Sequence, residues 1–557
     1  TGTFTNNGTS EINIKQGVVK LQGDIINKGG LNITTNASGT QKTIINGNIT
    51  NEKGDLNIKN IKADAEIQIG GNISQKEGNL TISSDKVNIT KQITIKAGVN
   101  GGNSDSGTKN NANLTIKTKT LELTNDLNIS GFNKAEITAK GNSDLIIGEA
   151  SDGNAKKVTF DKVKDSKISA GDHNVTLNSE VETSNGNSDA ASDSNGNNAG
   201  LTISAKDVTV NNNITSHKTV NISAEAGSVT TKEGTTINAT TGDVEVTAKT
   251  GDIKGEVKSS SGSVTLTATG DALTVSNVTA KNDVTVKAET GKLTTTSGGT
   301  IKSEESKVEL TAQSGLIDGN VEGKNQVNVT ASTGSLTIKN SAKVEATDGA
   351  ATLTANNSDI AGNINATDVT LNTTGTLTTV ASSNIKATSG TLAINAKDAK
   401  LNGAASGNHT VVNATNASGS GSVTAKTSSN VNITGDLNTI NGLNIISENG
   451  RNTVRLRGKE IDVKYIQPGV ASVEEVIEAK RVLEKVKDLS DEERETLAKL
   501  GVSAVRFVEP NNTITVNTQN EFTTRPSSQV TISEGKACFS SGNGAAVCTN
   551  ITDGGQQ

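Results

Sequence analysis

A chain of 557 residues with 6 Phe, 1 Tyr and no Trp or Met lacks the bulky side chains that fill the centre of a large globular core. Its 53 basic and 59 acidic residues are spread along the length, the net charge is -6, and no basic patch or aromatic platform points to nucleic acid. No apolar run approaches the roughly 18 residues that span a bilayer. No signal peptide opens the chain, and Thr1 stands inside a repeat-like pattern, as expected of an internal or C-terminal piece of a longer protein.

Residues 1–180 carry short segments in which apolar and polar residues alternate, the pattern of a strand with one buried face. Examples begin at Leu31, Leu56, Leu80, Leu114 and Leu121, read as one series at spacings of about 24 residues. From Val244 the signal becomes regular, as Val244-Glu245-Val246, then Val264, Val284, Val308, Val327, Ala351, Val369 and Leu392 in the equivalent place. These spacings wander between about 18 and 24 residues, close to the window of solenoids. After most segments comes a small polar turn and a second short strand. Such a unit cannot bury its apolar face alone, but a stack of units can.

The predicted fold of residues 1–450 is therefore all-β, a parallel β-helix whose narrow interior is lined by Val, Ile, Leu and Ala. Each of these side chains packs on its equivalent one coil away. At about 4.8 Å per coil, roughly 20 coils make a rod on the order of 100 Å long. Thr, with its high strand propensity, and Asn, able to form hydrogen-bonded ladders, take the outward positions. Two stretches, 98–113 and 184–200, contain Gly, Ser, Asn and Asp with almost nothing to bury. They read as loops thrown out from the rod, either plainly solvated or used as contact surfaces.

The alphabet changes at Arg451. Residues 1–450 contain no Arg, Pro, Tyr or Cys, so a domain boundary is expected near 450–468, followed by a small α+β region over 451–557. Within it, Val473, Val476, Ile477, Leu483 and Val486 fall on one helical face, and Ser490 with Glu493 forms a capping box. The helical segment 472–500 reads either as a hairpin inserted in a terminal domain or as a cap or docking element, since the open end of the stack needs cover. Strand-like pieces follow at 505–508, 514–516 and 530–532.

Little in the chain carries catalytic chemistry. His173, His217 and His409 stand isolated and read as surface residues on turns, and the Gly-Gly-Asn-Ser-Asp stretch at 101–105 occurs once, without a calcium repeat. No catalytic, cofactor-binding or metal residue is assigned. Carboxylates converging across coils leave a polysaccharide-cleaving lyase or hydrolase as the alternative function. Such an enzyme needs aromatics to stack sugars, and only Phe4, Phe132 and Phe160 precede residue 451.

Cys538 and Cys548 are the only cysteines, and Gly542 and Gly544 between them permit a tight loop. The even count favours a disulfide and an oxidising compartment. Closing so short a loop stabilises by roughly 2–3 kcal/mol, minor for a chain of this size, so a local purpose is expected.

Asn-x-Ser/Thr triplets number about 24, against roughly 16 expected by chance. The candidates are Asn7, Asn32, Asn36, Asn48, Asn72, Asn79, Asn88, Asn113, Asn128, Asn174 and Asn213 in the first half. Asn221, Asn238, Asn277, Asn328, Asn356, Asn365, Asn372, Asn408, Asn413, Asn416 and Asn432 follow. Many should lie on exposed turns or outward faces.

A Gly-, Thr- and Asn-rich rod of ~20-residue coils, ending in Ala537-Cys538-Phe539-Ser540-Ser541-Gly542-Asn543-Gly544-Ala545-Ala546-Val547-Cys548, resembles the bacterial high-molecular-weight (HMW) adhesins. These are filamentous-haemagglutinin-like exoproteins of two-partner secretion. The resemblance is generic over 1–450 and more specific at the C-terminus. It implies a right-handed β-helix, exported through an outer-membrane pore partner and attached to host epithelial glycans or glycoproteins as a virulence factor. It also implies hexoses placed on Asn by a cytoplasmic glycosyltransferase, and a cysteine loop held at the pore. The fibre would then sit at the cell surface with its C-terminus at the outer membrane or on its periplasmic side. The family's N-terminal secretion domain, with its Asn-Pro-Asn-Gly motif, is absent from this sequence, so no residue here is assigned to secretion targeting.

Overall fold

The computed structural model describes residues 2–37, 42–98, 112–149, 156–185, 200–435, 437–439, 443–448, 451–456, 459–464, 529–533, 536–540 and 547–550. The interiors of both expected loops, the 101–105 stretch, the helical segment 472–500 and the pieces at 505–508 and 514–516 lie outside the described residues. The chain divides into two units: residues 1–291 with 302–304, and residues 292–301 with 305–557. Both are β-helical, with about 18 coils between them and no helix among the described residues.

In the first unit the coil has three sides. Phe4–Asn6, Ser10–Ile14 and Val19–Leu21 make the first coil; Ile25–Asn27, Leu31–Thr35 and Thr43–Ile45 make the second. Each strand pairs in parallel with the one three places on: Phe4 with Ile25, Ser10 with Leu31, Val19 with Thr43. Three parallel sheets result, and register is kept because a slip of one residue would turn every apolar side chain outward. On the second sheet Leu31, Leu56, Leu80 and Leu114 stand in one column, with Ile33, Ile58, Ile82 and Ile116 in the next. These side chains are at most 1 % exposed, so each contributes about 1.5–3 kcal/mol of burial.

Leu121 does not belong to the Leu31 series. It pairs with Val87 and Ile147 on the third sheet, seven residues beyond Leu114 on the second, so one coil holds three strand signals rather than two. From Val220 onward neighbouring strands run together through the corners. Val244–Ser259 visits all three sheets in turn, pairing at Val244–Ala248 with one strand and at Gly251–Ile253 and Glu256–Ser259 with another.

In the second unit the valine series stacks as expected. Val308, Val327, Ala351, Val369 and Leu392 are directly in register. Gly349 shows why a turn residue here has no side chain: a Cβ on it would sit 1.5 Å from the carbonyl oxygen of Asn325, one coil away. The parallel ladder runs through Arg451–Leu456, and Lys459–Lys464 then turns back antiparallel upon it. The change of alphabet thus begins in a parallel strand, the last one among the described residues. Separately, Gln529–Ser533, Lys536–Ser540 and Val547–Asn550 form a three-stranded antiparallel sheet that contains the expected 530–532 strand.

Asparagine ladders occur on both sides of the wall. Outward, Asn57 donates to Asn32, Asn211 to Asn178, and Asn413 to Asn395, which donates to Asn372. Inward, the buried Asn6, Asn27, Asn51 and Gln75 pass amide hydrogen bonds from coil to coil, Asn51 Nδ2 reaching Gln75 Oε1 at 2.8 Å. The same amides donate to carbonyls of the adjoining turns, such as Gly54 and Glu77, and so satisfy backbone that no strand can pair.

Candidate functional site

A groove of about 420 Å³ lies on the outward side of the first sheet in the first unit. Its floor is three successive strands, Ile93–Ala97, Leu127–Ser130 and Lys157–Asp161, whose alternation turns Leu127, Ile129, Val158 and Phe160 inward. The opposite positions, Thr94, Asn128, Thr159 and Asp161, face the groove, joined by Asp126, Lys157 and Ser184. Asp126 accepts the backbone N–H of Lys157 at 2.9 Å, and Asp161 accepts the Ser184 hydroxyl at 2.8 Å. Lys157 Nζ lies 2.9 Å from Glu182. That hydrogen bond raises the Lys157 pKa against the opposing effect of burial, and the charges of Glu182, Glu180 and Asp126 add to the rise. The Asn128 side-chain oxygen is buried beneath the groove without a hydrogen-bond partner, and the groove itself presents two carboxylates and a firmly protonated amine.

The third sheet carries a charged cluster that no sequence motif announced. Glu66 and Asp85 are buried, with Lys42 2.8 Å from Glu66, Lys86 2.5 Å from Glu122, and Lys140 2.8 Å from Asp85. Burial works to raise the Asp85 pKa, yet the Lys140 and Asp64 N–H hydrogen bonds and the charges of Lys140 and Lys119 together lower it below 3.8. A carboxylate lowered in the fold contributes stability above its unfolded pKa and loses it as pH falls through the folded value. Asp85→Asn is therefore expected to cost about 1–2 kcal/mol at pH 7 and progressively less towards pH 3. Thermal melts of the two proteins across that range measure the convergence.

Four of the Asn-x-Ser/Thr triplets, those at Asn48, Asn72, Asn174 and Asn213, have a structural role. At many strand starts an Asn or Asp accepts the N–H of the equivalent residue one coil on: Asp24 caps Asn48, Asn48 caps Asn72, and Asn72 caps Thr94. Asp144, Asn174 and Asp207 repeat the device on the third sheet, and Asn213 caps Thr236. The next residue points inward and is apolar; the one after points outward and is often Ser or Thr. An Asn-Ile-Thr triplet such as 48–50 is thus one way to spell a capped strand start.

The candidate asparagines do not share one environment. Asn7, Asn32, Asn48, Asn72, Asn79, Asn213, Asn221, Asn277, Asn356, Asn413 and Asn432 are exposed. Asn36, Asn113, Asn128, Asn174, Asn238, Asn328, Asn365, Asn372, Asn408 and Asn416 are half-buried. Asn88 is 8 % exposed and accepts from Thr124, so it lies within the wall. The side-chain nitrogens of Asn113, Asn413 and Asn416 already donate to Asn79, Asn395 and Asp398.

The structure brings one histidine to a carboxylate, His173 Nδ1 lying 3.7 Å from Asp144 Oδ1. His173 and His217 lie at turns, but His409 is in the strand Ala404–Gly419, its Nδ1 hydrogen-bonded to Ser428 and Thr427. Among the described residues no three His, Cys, Asp or Glu side chains converge as a metal site, and no helix is long and apolar enough to cross a membrane. Cys538 and Cys548 are opposed across the antiparallel pair of Lys536–Ser540 with Val547–Asn550. Directly opposed residues have Cα atoms about 4.5–5.5 Å apart, within the range a disulfide spans.

Comparison with protein-family models, curated proteins and solved structures gives no significant match.

Proposed function

We propose that the chain is the stalk and C-terminal anchor of a bacterial surface adhesin, a fibre that holds attachment to host cells away from its own surface. The observation that carries this reading is the direction of the side chains in the β-helix. Of the three phenylalanines before residue 451, Phe132 and Phe160 are core residues, at 1 % and 0 % exposure, and only Phe4 is exposed, while the walls present Thr, Asn, Ser and scattered charges. Such walls support the reading as a structural fibre. A polysaccharide-cleaving site would place aromatics outward to stack sugars.

The cross-strand register of Cys538 and Cys548 supports the anchor role. A disulfide there closes a short loop wider and stiffer than an extended strand, and a narrow secretion pore would hold it back. Cys548→Ser is expected to release the fibre into the medium from a host that carries the pore partner, with the β-helix still folded by circular dichroism. A fibre that stays cell-bound as fully as the parent overturns the anchor. Hexoses in this reading occupy outward asparagines such as Asn7, Asn221 and Asn432. Asn88 should stay unmodified, because a sugar there would break the coil contacts. Peptide masses from natively secreted material read both the Asn occupancy and the cysteine linkage.

The groove keeps a second reading alive, that of a polysaccharide lyase or hydrolase using Asp126 and Asp161. Both carboxylates are tied to structural partners, Lys157 N–H and the Ser184 hydroxyl. Glycan cleavage by the intact chain, lost in Asp161→Asn, would favour the enzyme over the fibre.

A further inference from the structure

One face of the second unit has lost its charge. In a chain with 20 % charged residues, the outward positions of the second sheet alternate among Lys, Glu, Thr and Asn through the first unit. There Lys59, Lys117, Glu136, Lys167, Glu245 and Lys287 interrupt every long polar run. Below Glu309 this stops. Asn328, Thr352, Thr370, Ala393, Val411 and Asn430 follow one another in direct register, and every one is neutral. The neighbouring outward column, from Thr330 to Asn432, is Thr, Thr, Asn, Asn, Asn, Asn in the same six coils. Arg455 ends it. The other two sheets of the same coils keep their charges, with Glu322, Glu345 and Lys386 on one and Asp359 and Lys400 on the other.

The strip is also flat and stiff. Asn372, Asn395 and Asn413 hold one another through amide hydrogen bonds of 3.0 and 2.9 Å, so their side chains lie along the face. Most of its residues are half-buried by their neighbours alone, and they lose little rotamer freedom on being covered.

We propose that this charge-free strip is a self-association surface, on which a second copy of the chain packs face to face. The two faces share one repeat, so their rows of Thr and Asn are commensurate by construction, as in stacked sheets with identical side-chain ladders. A neutral face meets its own copy without like-charge repulsion, whereas the charged faces do not. The flanking charges choose the orientation. Exposed Asp368 leads the strand on one edge, and exposed Lys397 follows the next coil's strand on the other edge. A two-fold axis along the coil-stacking direction reverses the strands, bringing the leading edge of one copy to the trailing edge of its partner. Asp368 of each copy then lies one coil, about 4.8 Å, from the level of Lys397 on the other. Two copies that run the same way therefore make two ion pairs at the rim. The antiparallel arrangement makes none.

Six coils by about five strand residues give on the order of 400 Å² per copy, roughly half of what a stable interface buries. The association is thus weak for a single pair and fills where copies stand crowded and parallel, so that the local concentration replaces the missing area. It goes beyond the adhesin reading and does not depend on it.

Sedimentation equilibrium of the full chain tests it, up to about 0.5 mM. A reversible dimer is expected in this range, and a chain that stays monomeric throughout, including one whose strip is covered by its own residues 465–528, overturns the proposal. Thr352→Lys with Asn395→Lys, both outward and neutral to the core, should weaken the dimer at least about tenfold while the thermal midpoint stays near that of the parent. Unchanged dimerisation in that variant also overturns it. Lys397→Glu alone should weaken the dimer about threefold, and Asp368→Lys added to it should restore it. Failure of the pair to restore overturns the parallel orientation.

Discussion

Phe160→Ala is expected to cost about 3–5 kcal/mol, near the top of the range for deleting a buried ring. Phe160 is fully buried and stands in register between Ile129 on one coil and Thr183 on the other. The cost of such a deletion depends on how far the surroundings can collapse, and here they can hardly move. The coils above and below are held at a fixed spacing by parallel hydrogen-bonded ladders on all three sides. Thr183 is itself tied down, bonded to Ser216 and to the His217 N–H, both at 3.0 Å. The void therefore persists. Phe4→Ala, at a side chain 44 % exposed, is expected to change stability by less than about 0.5 kcal/mol. Denaturant titration of both variants, followed by circular dichroism, measures the contrast.

Asn51→Ala is expected to destabilise the first unit by about 2–5 kcal/mol, although an asparagine would ordinarily pass as a surface residue. Asn51 is 0 % exposed and sits in the middle of the inward ladder. Its oxygen accepts from Asn27, and its nitrogen donates to Gln75 Oε1 and to the Gly54 carbonyl at 2.8 and 2.7 Å. Alanine leaves the Gln75 oxygen short of a donor and one Asn27 side-chain N–H short of an acceptor in a dry interior, while the Gly54 carbonyl keeps Gln75 Nε2 at 3.3 Å; each such orphan costs about 1–3 kcal/mol. Asn57→Ala removes a ladder bond of similar length, 2.7 Å, from the outward side. Water replaces the lost partner there, and the expected loss is under about 0.5 kcal/mol. Hydrogen exchange of the amides between Ile45 and Ile82 should speed up markedly in the first variant and hardly change in the second.

Periodicity made much of the architecture legible. The columns Leu31 to Leu114 and Val308 to Leu392 are the very segments that alternate in the primary structure. They stack because period-two alternation leaves one face needing cover and a recurring unit can only find that cover in its own neighbours. The exclusion of bulky side chains from most of the interior follows from the same composition.

The number of sides to a coil was not legible. Leu121 looks like Leu114 in sequence, yet a corner between them puts them on different sheets. Corners are set by backbone torsions and by which turn amide finds which carbonyl, and these leave only weak marks in residue type. The same holds for polarity at the wall. Asn51 and Asn57 are alike in composition, and only their position before or after a corner decides that one is buried and the other wet. The buried Glu66 and Asp85 became tenable only when lysines from other coils, Lys42 and Lys140, closed on them. The charge-free strip from Asn328 to Asn432 likewise exists only in register, since its residues are drawn from six coils and touch no common stretch of chain. Composition and period thus dictate that the chain stacks, through the cost of leaving apolar rows uncovered. Which side chains meet across the rungs, and so every site on the surface, is decided by the coil corners and the register they impose.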